Sequence, residues 1–172
     1  NEWIPLEKPA DYASALETSG KVIADFETRQ EMIRSQVSNA AAEVGGEVMW
    51  DEDLLQEITS LVEFPVALVG EFDPLYLELP PETLVLTMKS HQKCFCLADS
   101  EGKLLPRFIT VSNLVSKDPA RVVEGNERVI RPRLADARFF FETDKQTPLA
   151  DRREQLKALI FQDKLGTVYD KS

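Results

Sequence analysis

Residues 91–96 carry the side chains with the clearest potential for metal chemistry. On a β-strand, Cys94 and Cys96 point to the same face, and the nearby His91 could close over them as a third zinc ligand. Structural zinc sites take four ligands, and no fourth ligand follows nearby. Because unligated cysteine is common in buried strands, the spacing predicts two small buried side chains. His91 and Lys93 remain candidates for contact with an anion at the end of the preceding helix.

A second group of side chains, rich in arginine, has the chemistry to bind phosphate. Five arginines lie within residues 121–138, and guanidinium groups pair with phosphate through forked hydrogen bonds. Glu124, Glu127 and Asp136 lie between them and could instead form ion pairs with most of them. Internal pairing and contact with a polyanion both stay open at this point. The candidate contact residues are Arg107, Arg121, Asn126, Arg128, Arg131, Arg133, His91 and Lys93.

The sequence lacks the motifs of several enzyme classes. It contains no phosphate-binding loop ending in Gly-Lys-Ser/Thr, no Gly-x-Gly-x-x-Gly and no Gly-x-Ser-x-Gly. His91 is its single histidine, which excludes zinc motifs that need two histidines. We therefore predict no catalytic residue, no cofactor-binding residue and no metal ligand in this chain.

Charge is divided unevenly along the 172 residues. The net charge is −10, but residues 1–86 carry 4 Lys/Arg and 18 Asp/Glu, whereas residues 87–172 carry 16 Lys/Arg and 12 Asp/Glu. The acidic total excludes a protein that coats nucleic acid, and the basic second half permits a local contact with a polyanion. Two cysteines are too few for a secreted disulfide scaffold and indicate a reducing cytosol. No run of about eighteen apolar residues indicates a membrane span.

Hydrophobic periodicity predicts an α+β fold, with a small mixed or antiparallel sheet and long flanking helices. Asp25 is placed to cap a long helix that Gly45 ends, and Asp118 is placed to cap another that begins at Pro119. Pro132 should kink or split that second helix. The predicted strands are residues 65–70, 93–98 and 107–113, of which the last two form a hairpin.

The same patterns divide the chain into three parts. Residues 1–60 are a helical segment that either ends a preceding domain or folds onto the rest, and residues 61–147 are an α+β core module. In residues 148–172, Pro148 opens a helix at the start of a following domain. The apolar side of that helix consists of Leu149, Leu156, Leu159, Ile160 and Leu165. Because the chain has no initiator methionine and its last apolar pattern stops without a turn signal, we expect a piece of a longer protein.

Five strings of residues, in this order, carry a resemblance to a known family. The most distinctive string is residues 125–137, Gly-Asn-Glu-Arg-Val-Ile-Arg-Pro-Arg-Leu-Ala-Asp-Ala. The chain resembles the β subunit of the bacterial two-subunit type of glycyl-tRNA synthetase, most specifically from residue 63 onward. The other strings are residues 64–73, 87–93, 105–113 and 161–167.

This resemblance implies a cytoplasmic α₂β₂ ligase that joins glycine to tRNA(Gly) with ATP and Mg²⁺, both bound in the α subunit. The chain would be a non-catalytic portion from the N-terminal half of β. It would support tRNA recognition and assembly with the α subunit, and it would stop as an HD-type helical domain begins.

The region is also similar to the editing-type module of the phenylalanyl-tRNA synthetase β subunit. That similarity implies an alternative function, a hydrolytic editing module acting on mischarged tRNA. His91, Thr110, Ser112 and Asn113 are the only polar residues suited to line its cleft. Cys94 stands where the family pattern leads us to expect tyrosine.

Overall fold

A four-stranded antiparallel sheet, in the order β1-β3-β4-β2, forms the centre of the larger of two compact units. The computed structural model describes residues 3–171, and the larger unit ends at Leu134. The predicted α+β fold, with a small antiparallel sheet and long helices, is confirmed. The strands are β1 (Glu47–Val48), β2 (Val66–Glu71), β3 (Phe95–Ala98) and β4 (Leu104–Ser112).

Helices precede, connect and follow these strands. The longest one runs unbroken through Pro132, so the proline does not split it, and the alternative of a kink stays a prediction. The helices are α1 (Tyr12–Ala15), α2 (Phe26–Glu43), α3 (Glu52–Leu61), α4 (Pro81–Leu86) and α5 (Pro119–Lys145). Shorter turns are the 3₁₀ helices Pro9–Asp11 and Pro74–Glu78 and the π-helical turns Leu16–Gly20 and Thr87–His91.

Aspartate caps fix where α2 and α3 begin. The Asp25 carboxylate accepts a hydrogen bond from the backbone N–H of Thr28 (2.7 Å), as the sequence predicts. Asp51 accepts one from the backbone N–H of Leu54 (2.9 Å) and also pairs with Lys89. The hydrogen bond from Lys89 holds the pKa of Asp51 below its usual range, with a further contribution from the Leu54 N–H.

Side chains on both faces of the sheet are buried. On one face, Phe95, Leu97 and Ile109 lie in a core cluster with residues of α2 and α3. Since side chains alternate along a strand, Cys96 and Phe108 lie on the other face, where both are also buried. Helices of the first sixty residues therefore share one core with the strands.

The smaller unit comprises residues 135–172 and combines helical turns with a hairpin. The single helix predicted after Pro148 is wrong beyond residue 158, because Leu159 is extended and Gly166 takes a positive φ of 85° to close the hairpin. Its elements are α6 (Leu149–Arg152), the 3₁₀ helix Arg153–Ala158, β5 (Ile160–Gln162), β6 (Gly166–Thr167) and α7 (Val168–Lys171). Within residues 3–171, none of the helices has the length and apolar character to cross a membrane.

Candidate nucleic-acid interface

Helix α5 carries most of the predicted contact residues. It begins at Pro119, where the Asp118 carboxylate accepts a hydrogen bond from the backbone N–H of Arg121 (3.4 Å). Ile130 and Leu134 are fully buried on the inner side of the helix. At about 100° per residue, Arg121 and Arg128 lie on the opposite side, and both are exposed. Two arginines of the cluster therefore share the solvent-facing side of α5.

The direction of the Glu127 side chain determines whether Arg131 is paired. Its Oε1 atom accepts a hydrogen bond from the backbone N–H of Glu71 at the end of β2 (2.9 Å). The carboxylate therefore binds the edge of the sheet, and no ion pair forms with Arg131 one turn later. Among the described residues, Arg128, Arg131 and Arg133 have no hydrogen-bond or ion-pair partner. For these three arginines, the internal pairing that the sequence left open does not form within residues 3–171.

Arg121 has one partner, the Asp118 carboxylate, at 3.1 Å from its Nε atom. The Arg121 side chain is 84% exposed, so this ion pair is fully screened by solvent. Such a pair holds the guanidinium weakly and leaves its other N–H donors directed to solvent. Arg121 can exchange Asp118 for an external anion at little cost.

Arg107 has a structural role rather than an exposed one. Its Nη1 atom donates to the carbonyl of Val44 at the end of α2 (2.9 Å), and its Nε atom donates to Glu71 (3.3 Å). The guanidinium thus links helix α2 to strands β4 and β2. Arg107 therefore stabilises the fold, and its role as a contact residue stays a prediction.

His91 and Lys93 lie where the π-helical turn after α4 ends, and the structure separates their roles. His91 is exposed, so it stays a candidate for contact with an anion. Lys93 forms an ion pair with Glu57 (2.8 Å) and adopts a left-handed backbone conformation with φ of 53°. The next residue, Cys94, donates its N–H to the carbonyl of Met88 (3.1 Å) and completes the helix end. Lys93 therefore occupies a position that favours glycine.

Replacing Lys93 with glycine should relieve this backbone strain. Lys93→Gly and Lys93→Ala both remove the ion pair with Glu57, but only glycine adopts the left-handed conformation without cost. We expect Lys93→Gly to be more stable than Lys93→Ala by about 1 kcal/mol in urea unfolding. Equal stabilities for the two variants would contradict the left-handed assignment.

The Asn126 side chain forms its hydrogen bond within its own helix. Its Nδ2 atom donates to the carbonyl of Val122 one turn earlier (2.8 Å), and the residue is half-buried. The amide neither interrupts α5 nor projects into solvent. Of the predicted contact residues, Asn126, Arg107 and Lys93 thus have partners within the fold, whereas the unpaired arginines of α5 do not.

A cleft of about 350 Å³ lies beside α5 at the end of β2. Arg131 and Glu127 line it from the helix, and the segment after β2 lines the other side. The exposed carboxylates there compete with any anion for Arg131, so the cleft is not itself an anion site. The residues contributed by the β2 side are Glu71, Phe72, Asp73 and Tyr76.

Comparison with known proteins decides the family of this chain. The family model described as glycyl-tRNA synthetase beta subunit matches residues 1–172. The chain belongs to this family. It is 54% identical to the glycine–tRNA ligase beta subunit of Hahella chejuensis over 98% of its length, and 58% identical to that of Psychromonas ingrahamii over 97%. It spans 24% of the length of each of these relatives, or about a quarter.

In this glycyl-tRNA synthetase beta subunit chain, three of the four residues considered for an editing cleft are used inside the fold, and the fourth, His91, is exposed. Asn113 Oδ1 accepts hydrogen bonds from the backbone N–H groups of Glu63 (2.6 Å) and Phe64 (3.0 Å). Ser112 donates to the carbonyl of Leu114 (3.1 Å), and Thr110 is buried in β4. Convergent donors around a small pocket are what hydrolysis would require, and these groups do not supply them. The editing alternative is not supported.

The two cysteines of this family member are buried, as the sequence predicts. Cys94 and Cys96 are 1% and 5% exposed and lie beside a cavity of about 120 Å³. Burial raises the pKa of each thiol to about 12. Within residues 3–171, no group of three His, Cys, Asp or Glu side chains is arranged to hold a metal ion.

We expect both thiols to resist alkylation in the folded chain. With a pKa of about 12, only about 10⁻⁴ of each thiol is ionised at pH 8, and the thiolate is the reactive form. Iodoacetamide should therefore label the folded chain at least roughly 100-fold more slowly than the urea-unfolded chain. The unfolded thiols ionise at lower pH, so stability should fall as the pH rises from about 9 towards 12. Rapid labelling of the folded chain at pH 8 would contradict this burial.

Three side chains with central structural roles carry no signal in the sequence. Gln36 of α2 donates to the carbonyl of Pro65 (3.0 Å) and accepts from the N–H of Ala67 (2.9 Å), which satisfies the outer edge of β2. Glu127 does the same at the other end of that strand. Arg29 links three backbone carbonyls. The contacts of Gln36 and Glu127, and that of Arg29 with Thr59, join residues far apart in the chain, so no local pattern predicts them.

Proposed function

We propose that this chain is a non-catalytic segment of the β subunit of a glycine–tRNA ligase. Its role would be to support tRNA recognition and assembly with an α subunit during ATP-dependent glycylation of tRNA(Gly). The single observation that carries this proposal is the family match over residues 1–172. The unpaired arginines of α5 support a contact with a tRNA backbone, and the cytoplasmic location stays a prediction.

ATP and Mg²⁺ are assigned to the α subunit in this proposal. A nucleotide site on this chain would need a phosphate-binding loop or carboxylates that converge on a cation. The sequence has no such loop, and the described residues offer no suitable donor cluster. The α₂β₂ arrangement follows from the resemblance and is part of the proposal.

We further propose that residues 148–172 belong to the start of a following domain. No side chain of residues 135–171 is buried, and large apolar side chains such as Leu149 (86% exposed) and Ile160 (71% exposed) face solvent. A segment without a core of its own needs further polypeptide to cover its apolar side chains. The divisions at residues 60 and 147 stay predictions.

Glycylation assays with and without this segment test the proposed function. Purified α subunit, ATP, Mg²⁺, glycine and tRNA(Gly) are combined with the full-length β subunit or with a β subunit lacking residues 1–172. We expect charging with the full-length β subunit and a loss of at least roughly 100-fold with the shortened one, because the segment supports assembly and recognition.

Two further measurements make this test decisive. The 172-residue chain alone should give no glycine-dependent exchange of pyrophosphate into ATP, because no adenylation site is assigned to it. Gel filtration with the α subunit reports whether the shortened β subunit still assembles. Full glycylation by the shortened β subunit would overturn the proposal.

A further inference from the structure

Three residues of α5 form one continuous exposed strip. Arg121, Gly125 and Arg128 are separated by four and three residues, which places them on one side of the helix, opposite the buried Ile130. We call these three residues the Arg121–Arg128 face. It extends roughly 10 Å along the helix, about three nucleotide steps of a nucleic-acid strand.

Gly125 has no explanation within the fold. It lies inside a long helix with a helical φ, and a Cβ atom built there would meet nothing within 4 Å. Glycine at an exposed helix position disfavours folding roughly fivefold relative to alanine. Glycine is used where another backbone or a ligand must approach closely, and no described residue does so here. The open space over Gly125 therefore leaves room for the close approach of a group from outside the described residues.

The charge of this region is suited to an anion. Residues 117–134 contain five basic and three acidic side chains in a chain whose net charge is −10. Arg128 has no partner among the described residues, and Arg121 has only the solvent-exposed Asp118. The Glu127 carboxylate is hydrogen-bonded to the edge of β2. Within residues 119–134, Glu124 is therefore the one acidic side chain that is exposed beside the face.

The side chains of the face favour phosphate over a protein surface. Interfaces between proteins depend on buried aromatic or aliphatic anchors. The three residues of the Arg121–Arg128 face have no apolar side chain, and beside them within residues 119–134 one large apolar side chain, that of Val129, is 47% exposed. Guanidinium groups on both sides of a glycine instead match phosphates about three nucleotide steps apart on one strand, with the backbone lying over Gly125.

We infer that the Arg121–Arg128 face is a docking surface for the phosphodiester backbone of tRNA, contacted without regard to base sequence. This inference rests on the proposed function and assigns the tRNA contact to one surface. Arg131 lies at the margin of the face and adds to its positive potential.

Salt-dependent RNA binding by the full-length β subunit tests the inference. The probes are a tRNA(Gly) transcript and a mixed-sequence RNA duplex of about 16 base pairs. We expect Arg121→Gln and Arg128→Gln each to lower the log–log salt slope by roughly 0.7–0.9 on both probes, since each removes one phosphate contact. Lys103→Gln, in the exposed turn between β3 and β4, is the matched control and should leave the slope unchanged.

Two further variants separate a contact role from a structural one. Gly125→Ala should improve the folding equilibrium roughly fivefold yet weaken RNA binding roughly tenfold, because the methyl group displaces a charge-assisted contact. Glu124→Gln should tighten RNA binding roughly threefold by removing a repulsive carboxylate. A purely structural role for Gly125 would change stability and leave RNA affinity unaltered.

Several results would overturn the inference. Unchanged salt slopes for both arginine variants would exclude phosphate contacts, and unchanged affinity for Gly125→Ala would exclude close approach. Weaker binding of the α subunit by these variants, with RNA binding intact, would make the face a protein interface. If the wild-type β subunit supports glycylation while the variants bind RNA normally, this inference fails and the proposed function stands.

Discussion

Gly70→Ala should destabilise the chain by about 3 kcal/mol, at the upper end of the usual cost of overpacking. A Cβ atom at Gly70 would lie 2.3 Å from the Cζ atom of Phe108 and 2.8 Å from both Cε atoms. Phe108 is fully buried and pairs with Gly70 across β2 and β4, so its ring has no space to move into. Urea unfolding of the 172-residue chain measures this loss.

Gly125→Ala is the matched control for this prediction. The same methyl group is added there, but in open space on an exposed helix, and it should stabilise the chain by about 0.5–1 kcal/mol. A second control combines Gly70→Ala with Phe108→Leu, which removes the ring that the methyl group meets. We expect the double variant to be more stable than the sum of the single effects by about 1–2 kcal/mol. Strict additivity would show that the clash is not the cause.

This pair of glycines shows what a sequence can and cannot predict about the fold. The strand around Gly70 follows from its apolar run, but the need for glycine depends on its register with Phe108, 38 residues later in the chain. Helix starts at Asp25 and Asp118 depend on neighbouring residues only, and they are predicted correctly. Neighbouring residues therefore specify where helices and strands form, whereas the energetic cost of a substitution depends on which residues lie opposite each other across the sheet.

The same distinction between local sequence and long-range contacts applies to the candidate site. A cluster of arginines on one helix is visible in the sequence, but which of them are paired depends on a distant strand. Glu127 is placed by helical spacing to pair with Arg131, and it binds the backbone N–H of Glu71 instead. Arg107 looks equivalent to the others in sequence, yet the carbonyl of Val44 and the carboxylate of Glu71 engage it.

The incorrect prediction of a helix beyond residue 158 has a different cause. Apolar residues at 156, 159, 160 and 165 fit a helical face, but the same residues also fit short extended segments. Gly166, with its φ of 85°, favours the hairpin. Over so short a segment, apolar periodicity without capping residues therefore does not distinguish a helix from a strand.

Arg29→Met should lower the free energy of unfolding by about 2–3 kcal/mol, because it leaves partly buried carbonyls without a donor. The Arg29 guanidinium donates to the carbonyl of Thr59 near the end of α3 (3.0 Å) and to those of Ile23 (2.5 Å) and Ala24 (3.4 Å). It thereby fixes the segment before α2 to the end of α3, where the N–H of Ile23 also donates to the carbonyl of Glu63 (2.8 Å). One charged group thus connects the first part of the chain to the core.

Two variants on the same helix make the Arg29 prediction specific. Arg34→Met removes the forked pair with Glu52, whose carboxylate is 67% exposed, and should cost less than about 1 kcal/mol. Arg29→Lys keeps the charge but lacks the planar fork, so its cost should lie between those of the two methionine variants. Because the lost bonds are local, Arg29→Met should also speed amide hydrogen exchange at Ile23 more than in the strands of the sheet. Equal losses for Arg29→Met and Arg34→Met, with unchanged exchange at Ile23, would mean that the carbonyl contacts contribute nothing beyond surface charge.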